Sequence, residues 1–411
     1  MKKVICVVGT FDTKEEDFIF LIDKIHALGG ETLVLDVGTK ATKSEVVDVP
    51  SQELAKLGNY DIDTLAESGR SKAIAAISKA AALKVKELHD AGKIDGIIGM
   101  GGSGGTTLSA MAMKYLPIGF PKMIVSTLGG TPTITTYNAD NDIIIMNPVV
   151  DVAGVNSITK TIYSEAAGAI YGATLAVEKQ DPQKNKKRIA VTMYGVTTPG
   201  VTRTKQYLEE NGYEVIVFHA TGTGGRALEN LIKSGFFEGV VDMTTTEISN
   251  NSLAGEQGMC YTTTERCEGV AKMGIPCIYV PGAMDMCVAI GADPEIYKGR
   301  VEYHHNDMEI VTHFRPNASD ALVQGKCLGE KIAKTTAETA VFFPHGGLSM
   351  LDVPGEVLYD PEANAVLFKT IREYADNGKV EFIDSDLNIN DEEFALAVGK
   401  KMVDFMQKHY D

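Results

Sequence analysis

Residues 99–109 read GMGGSGGTTLS, with four glycines and one serine in the five positions Gly101–Gly105 and two threonines directly behind them. Ordering so flexible a stretch is costly, because glycine loses more backbone freedom on folding than any other residue. Bare backbone lets an oxygen-rich group reach peptide N–H donors, and a helix that starts there adds about half a positive charge. The chemistry this predicts is the binding of a small anion, phosphate above all. GTFDTKEE at residues 9–16 and TLGGTPT at residues 127–133 have the same character. The predicted anion-binding set is therefore Gly9, Thr10, Asp12 and Thr13, then Gly101, Gly102, Ser103, Gly104, Gly105 and Thr106, then Gly129, Gly130 and Thr131. None of these loops is a Walker A sequence, since no Lys-Ser or Lys-Thr follows the last glycine, and the first strand carries no G-x-G-x-x-G. One such loop alone is equally well a tight turn; three on one predicted sheet edge favour an anion.

A second group of residues has acid–base character. EYHHNDMEIVTHFR, residues 302–315, brings Glu302, His304, His305, Asp307, His313 and Arg315 together in sequence. Histidine is suited to proton transfer near neutral pH, and the arginine fork matches a carboxylate or phosphate. Metal ligation, substrate contact and ordinary polar packing all remain open for this segment, which has no H-x-x-x-H spacing. His305 and Arg315 are its leading catalytic candidates. Glu247, in TTTEISNN, is a third, against the plainer reading of a solvated loop carboxylate. Asp285 falls at another strand end. His219 and Arg226 flank the glycine-rich TGTGGR, a second possible anion loop or a plain turn. His345, Ser349 and Asp352 suggest a hydrolase triad, but Ser349 is not set in G-x-S-x-G, so a nucleophilic serine there is disfavoured.

Elements that alternate along the chain must position these residues. KVICVVG, ETLVLDVG, DGIIGMGG, KMIVSTLGG and DIIIMNPVVD are short apolar runs expected of strands buried on both faces. Helical spacing follows the first of them, with Thr13 and Glu16 as a predicted capping box and Gly29 as the stop. Residues 38–67 are looser, an alanine-rich helix runs to about His89, and another covers about Asn156 to Glu178. After the polar stretch KQDPQKNKK at residues 179–187 the pattern restarts. EGVVDMTTTEI parallels DGIIGMGGSGG, and IPCIYVPGAMD parallels KMIVSTLGGT, in strand character and position. The expected fold is α/β, two doubly wound Rossmann-like units with mainly parallel sheets, residues 1–183 and 184–411. Ligands of such sheets bind beyond the carboxyl ends of the strands, where all three glycine loops fall. Asp36 ends the second strand, a place that receives ribose hydroxyls in nucleotide-binding units; a solvated strand-end carboxylate is the alternative. Asp12 and Thr13 can meet a ligand hydroxyl or Mg²⁺-bound water.

The 411 residues are 44% hydrophobic with a net charge of −16. So acidic a chain repels phosphate backbones and makes nucleic acid a poor partner. The six dispersed cysteines, with no C-x-x-C, fit reduced thiols in the cytoplasm. MKKVICVVGTFDTKEED reads as a first strand, and no run reaches membrane-spanning length.

GTFDTKEED, GMGGSGGTT, YHHNDMEIVTHFRP and GLSMLDVPGEVLYDPEAN, in that order, resemble an uncharacterised bacterial and fungal family. That family is similar to the N-terminal ATP-binding half of a tomato protein conferring resistance to tomato mosaic virus. The resemblance spans essentially the whole chain. It implies two Rossmann-like domains, ATP in the first at the matching Gly9, Thr10, Asp12, Thr13 and Gly101–Thr106, and a homodimer. Asp307 stands where the family more commonly has proline, so the resemblance does not fix the shape of the histidine loop. The plant proteins' further C-terminal barrel has no counterpart here, so its activity does not transfer. Three readings follow. The first is an ATP-binding protein whose second domain takes a small acidic metabolite in an interdomain cleft. The second is a metal- or acid/base-assisted lyase or hydrolase centred on the histidine segment. The third is a non-catalytic module in which nucleotide stabilises a dimer.

Overall fold

Ile5, Cys6, Val7 and Val8 are all fully buried, as required of a strand covered on both faces. The structure is a computed structural model describing residues 2–138, 141–177, 186–290, 294–304 and 311–410. The chain divides into two units, Met1–Gln180 and Asp181–Asp411. The first runs β1 (Val4–Gly9), α1 (Phe11–Ala27), β2 (Glu31–Asp36), α2 (Ser51–Leu57), α3 (Ile62–Glu67), α4 (Arg70–Asp90), β3 (Gly96–Gly101), α5 (Ser103–Ala112), β4 (Lys122–Ser126), α6 (Thr135–Asn138), β5 (Ile144–Met146) and α7 (Ser157–Ala176). Its strands lie in the order β2-β1-β3-β4-β5, every neighbouring pair parallel. Helices α1 and α7 cover one face through Phe18, Leu21, Ile25, Tyr163 and Ile170. Helices α2 to α5 cover the other through Leu54, Leu65, Ile77, Val85 and Leu108. The chain thus leaves β1 toward one face and β3 toward the other, which makes the β1/β3 boundary the topological switch point.

Two local expectations need correction. Helix α1 starts at Phe11 behind Thr10, its backbone is non-helical at Lys14, and no side-chain cap forms there, so the predicted Thr13–Glu16 capping box is absent. Packing decides this start: Phe11 is buried, stacks on Phe18 at 5.1 Å and gives its N–H to Asp36. The end is as expected, with Gly29 at φ +93°. Within the looser region, residues 51–57 and 62–67 are helical.

The second unit runs β6 (Arg188–Met193), α8 (Thr198–Glu210), β7 (Glu214–His219), α9 (Thr223–Lys233), β8 (Gly239–Thr244), α10 (Thr246–Leu253), α11 (Gly269–Met273), β9 (Cys277–Gly282), β10 (Cys287–Ile290), β11 (Glu302–Tyr303), β12 (Val311–Phe314), α12 (Ala318–Ile332), β13 (Thr339–Pro344), α13 (Pro361–Ala375), β14 (Glu381–Ser385) and α14 (Glu392–Tyr410). The main sheet is parallel in the order β14-β13-β9-β8-β6-β7. Read from β7, this is the winding of the first unit with one strand more. The paired segments of the sequence occupy the same places: β3 and β8 are third strands, β4 and β9 fourth. Chain between β9 and α12 adds a small antiparallel sheet, β10-β12-β11, that the sequence reading did not anticipate. TTTEISNN, read as a loop, is mostly helix α10.

The polar stretch at residues 179–187 lies outside the described residues except for 186 and 187. All six cysteines are free thiols, and among the described residues no helix is long and apolar enough to cross a membrane.

Candidate functional site

At the β1/β3 switch point the four glycines divide into two kinds. A Cβ on Gly101 would lie 2.9 Å from Gly105 Cα, and one on Gly105 would lie 2.9 Å from Met100 O. These two let the end of β3 and the start of α5 touch backbone to backbone. Gly102 and Gly104 have no such constraint: the nearest atoms are Thr127 Oγ1 at 3.7 Å and Arg70 Nη2 at 3.2 Å. They leave the N-terminus of α5 uncovered. Its cap residue, Gly102, supplies no side chain, and among the described residues the N–H groups of Ser103, Gly104 and Gly105 have no acceptor. Arg70, the first residue of α4, is exposed and has no ion pair or hydrogen bond among the described residues. A guanidinium and a bare helix N-terminus, both positive, thus lie side by side with no anion of the protein between them.

Gly101–Gly105 also spells G-x-S-x-G in a strand–turn–helix setting. Ser103, however, has no hydrogen-bonded histidine among the described residues and none of the positive-φ strain seen at four other non-glycine residues. The geometry is that of an anion cradle, not of a serine nucleophile.

The other candidates of this rim are arranged unequally. Thr106 is buried, its hydroxyl 2.6 Å from Ser126 Oγ, where it fastens α5 to the end of β4. The β4 loop is closed: Gly129 N donates to Ser126 O, Thr131 N to Leu128 O, and Asn147 lies against both Gly129 and Gly130. Thr13 Oγ1 meets Thr10 Oγ1 at 3.1 Å beside Asp12, which abuts Gly38. Asp36 is fully buried; its Oδ1 accepts from Phe11 N at 3.2 Å and Gly38 N at 2.8 Å, and Oδ2 has no partner among the described residues. Burial pushes its carboxyl up to about 6, against the two backbone donors. The folded chain therefore holds this proton more tightly than the unfolded chain, and the stability it contributes is lost as pH rises through about 6. Asp36→Asn is expected to match the parent at pH 4 and to exceed it by about 2 kcal/mol at pH 8 in urea unfolding; equal pH profiles would contradict this.

Arg70 is not among the residues that the sequence singles out, and three other cations, Lys14, Lys114 and Arg203, are engaged elsewhere. Lys14 donates to Val152 O, Lys114 lies over the Tyr115 ring at 5.8 Å, and Arg203 pairs with Glu392 at 3.0 Å. Nothing in the local sequence marks Arg70; only the packing of α4 on α5 brings it to the glycines.

In the second unit the equivalent places are filled from within. Across the β6/β8 switch point Thr197 Oγ1 and Thr244 Oγ1 are 2.8 Å apart, and Thr244 to Asn250 are all fully buried. The glycine loop before α9 does hold an anion, and it is Glu247: Oε1 accepts from Gly222 N at 2.6 Å and Gly225 N at 3.1 Å. Its Oε2 takes Arg266 Nε at 2.6 Å, while the rest of that guanidinium grips Asp242 at 2.5 and 2.7 Å. Glu247 is thus a buried structural anion, not a solvated loop carboxylate, and it faces its own backbone and Arg266.

His305 lies outside the described residues. Arg315 is nearly buried and donates from Nη2 to Asp360 O at 3.0 Å and Asn364 Oδ1 at 2.8 Å; Asp352 is 4.0 Å away. His304 Nδ1 is 3.3 Å from Val311 O, and His313 packs edge-on against Tyr303. The triad suggested by His345, Ser349 and Asp352 does not assemble: His345 bonds Asp384 at 2.9 Å, and Ser349 Oγ donates to Asp285 at 2.7 Å. Among the described residues no cluster of three or more His, Cys, Asp or Glu side chains is arranged to hold a metal ion.

Several proteins resemble this chain along its length. A UPF0261 protein of Clostridium tetani is 41% identical over 99% of the chain and 100% of its own length. The ToMV resistance protein Tm-1(GCR237) of Solanum lycopersicum is 33% identical over 99% of the chain, which spans 56% of the tomato protein. Solved structures are more distant. A putative UDP-N-acetylglucosamine 2-epimerase from Listeria monocytogenes is 11% identical over 68% of this chain and 79% of that one, with a TM-score of 0.22. MurG of Acinetobacter baumannii is 12% identical over 99% of both chains, with a TM-score of 0.23. Likeness at that level assigns no activity. Residues 3–179 match the N-terminal domain and residues 186–406 the C-terminal domain of one family, so the chain belongs to the Uncharacterised protein family (UPF0261).

Proposed function

We propose that the first unit binds ATP, with the phosphates at the N-terminus of α5 and Arg70 closing over them. The observation that carries this reading is the unpaired Arg70 guanidinium beside three peptide N–H groups that have no acceptor. A polyanion satisfies both at once, and an internal carboxylate performs the same service at the matching kind of loop in the second unit. The place is the crevice that open α/β sheets of this strand order use for ligands. The Thr10–Asp12–Thr13 corner on the far side of the crevice suits a ribose hydroxyl or water on an accompanying Mg²⁺. Asp36 acts behind it, bonding the loop that carries Phe11 and Gly38. A small acidic metabolite as second ligand, a homodimer and a cytoplasmic location complete the proposal.

Calorimetry of the full chain with ATP, with and without Mg²⁺, tests it. ATP is expected to release heat and raise the melting temperature. Arg70→Ala is expected to weaken binding about 10- to 100-fold, the worth of a charge-assisted hydrogen bond, while the ligand-free protein melts as the parent does. No heat and no melting shift at millimolar ATP would overturn the reading.

A further inference from the structure

The second unit buries two carboxylates around one guanidinium and leaves the charges uneven. Asp285 follows β9 and Asp352 lies in the loop after β13; both are fully buried. Arg315, after β12, is the only cation facing them among the described residues, and its attention is divided. Its Nη2 serves Asp360 O and Asn364 Oδ1, its nearest approach to Asp352 is 4.0 Å, and its Nε has no partner among the described residues. Asp352 is well supplied with donors: Leu348 N at 2.9 Å and Asn364 Nδ2 at 2.7 Å on Oδ2, and Asp360 N at 3.4 Å on Oδ1. Among the described residues Asp285 has one donor from another residue, Ser349 Oγ at 2.7 Å on Oδ2, and its Oδ1 has none. The neighbouring Asp360 carboxylate is turned away to cap α13 at Ala363 N. One positive charge for two buried negative charges, with the second carboxylate short of donors, is an arrangement that ionises only in part.

The same contacts fasten two rim loops of the sheet. Ala283 N donates to Leu348 O at 2.9 Å, and Leu351 N to Ser349 Oγ at 3.0 Å. Ala283 is a buried non-glycine residue at φ +53°, a left-handed conformation that the surrounding contacts must hold in place.

We propose that Asp285 and Asp352 share a single proton at neutral pH, and that this proton is the pin of a latch joining the loop after β13 to the end of β9. Loss of the proton places a second carboxylate charge, with no cation to offset it, beside Ser349 and loosens the rim. The direction of the perturbation agrees. Burial, with repulsion from Asp352 second, pushes the Asp285 carboxyl up to about 7, and burial raises Asp352 too. A folded-state value above the ordinary one means that the contribution to stability is present at low pH and is lost as pH rises through about 7. This proton site is independent of nucleotide in the first unit, so either proposal can fail without the other.

The test compares the melting of the parent and of Asp285→Asn from pH 5 to pH 8.5. The parent is expected to fall by about 3–8 °C relative to the variant across that range, because the amide stays neutral throughout. Parallel curves would overturn the proposal. A second measurement stands even if the variant folds poorly: carboxyl-carbon NMR of the aspartate-labelled parent, in which Asp285 is expected to titrate near neutrality. Titration below pH 5 would overturn it. Asp352→Asn is expected to lower that midpoint; an unchanged midpoint would show a proton held by Asp285 alone and would overturn the sharing.

Discussion

Arg266→Met is expected to prevent the second unit from folding stably, at a cost of about 3–5 kcal/mol or more. Arg266 is fully buried and meets three carboxylates that are themselves buried: Asp242 through two hydrogen bonds, Glu247 through one, and Glu229 at 3.8 Å. Burial alone would make its charge harder to keep, but Asp242 and Glu247 more than offset this and hold the guanidinium firmly protonated. At Glu229 burial prevails instead: it raises the carboxyl and disfavours its charge, only partly countered by Arg266. Methionine has a suitable shape but strands Asp242 and Glu247 without a cation, and lysine lacks the fork that reaches both. The loss should therefore be repaired in part by removing the stranded charges, so that Arg266→Met/Asp242→Asn/Glu247→Gln is more stable than Arg266→Met alone. Urea unfolding and limited proteolysis of the second unit read both effects. A single variant within about 1 kcal/mol of the parent would show that the network is not what holds this sheet together.

The second large effect belongs to the opposite end of the first sheet. Lys122 opens β4 with its side chain fully buried, donating to Pro117 O at 2.6 Å and Phe120 O at 3.0 Å and pairing with Asp142 at 2.6 Å. Asp142→Ala is expected to cost about 3 kcal/mol, because it leaves a buried ammonium without its counter-charge. It also removes the acceptor for Gly119 N. Lys122→Met should cost less, under about 2 kcal/mol, since water reaches the Asp142 left behind. The pH dependence separates the causes. Burial already lowers the Lys122 amine and Asp142 pulls it back up; without Asp142 it falls further, so the folded variant sheds its proton before the unfolded chain does. The deficit of Asp142→Ala should then shrink between pH 7 and pH 9.5. A deficit constant over that range would point to the lost Gly119 contact instead.

The alternation of apolar runs and helical spacing determined much by itself. Strands buried on both faces must be uniformly apolar, so β1, β3, β4, β8 and β9 stand out in the sequence, and their matching order in the two halves is visible as a faint repeat. Local chemistry also marked Gly29 as a helix stop and Asn156 as a helix start. The glycine cluster at 101–105 identified where backbone had to be bare, because only a close approach justifies that loss of entropy. Tertiary structure decided what each glycine meets. Gly101 and Gly105 meet each other, Gly104 meets Arg70, more than thirty residues upstream in sequence, and Gly225 meets Glu247. Two loops of nearly the same composition therefore have opposite fates, one open and lined by an unpaired cation, the other filled by the protein's own carboxylate. Composition is a local property, whereas the charge that fills or empties a loop comes from residues distant along the chain, which only the packing of helices on the sheet brings within reach.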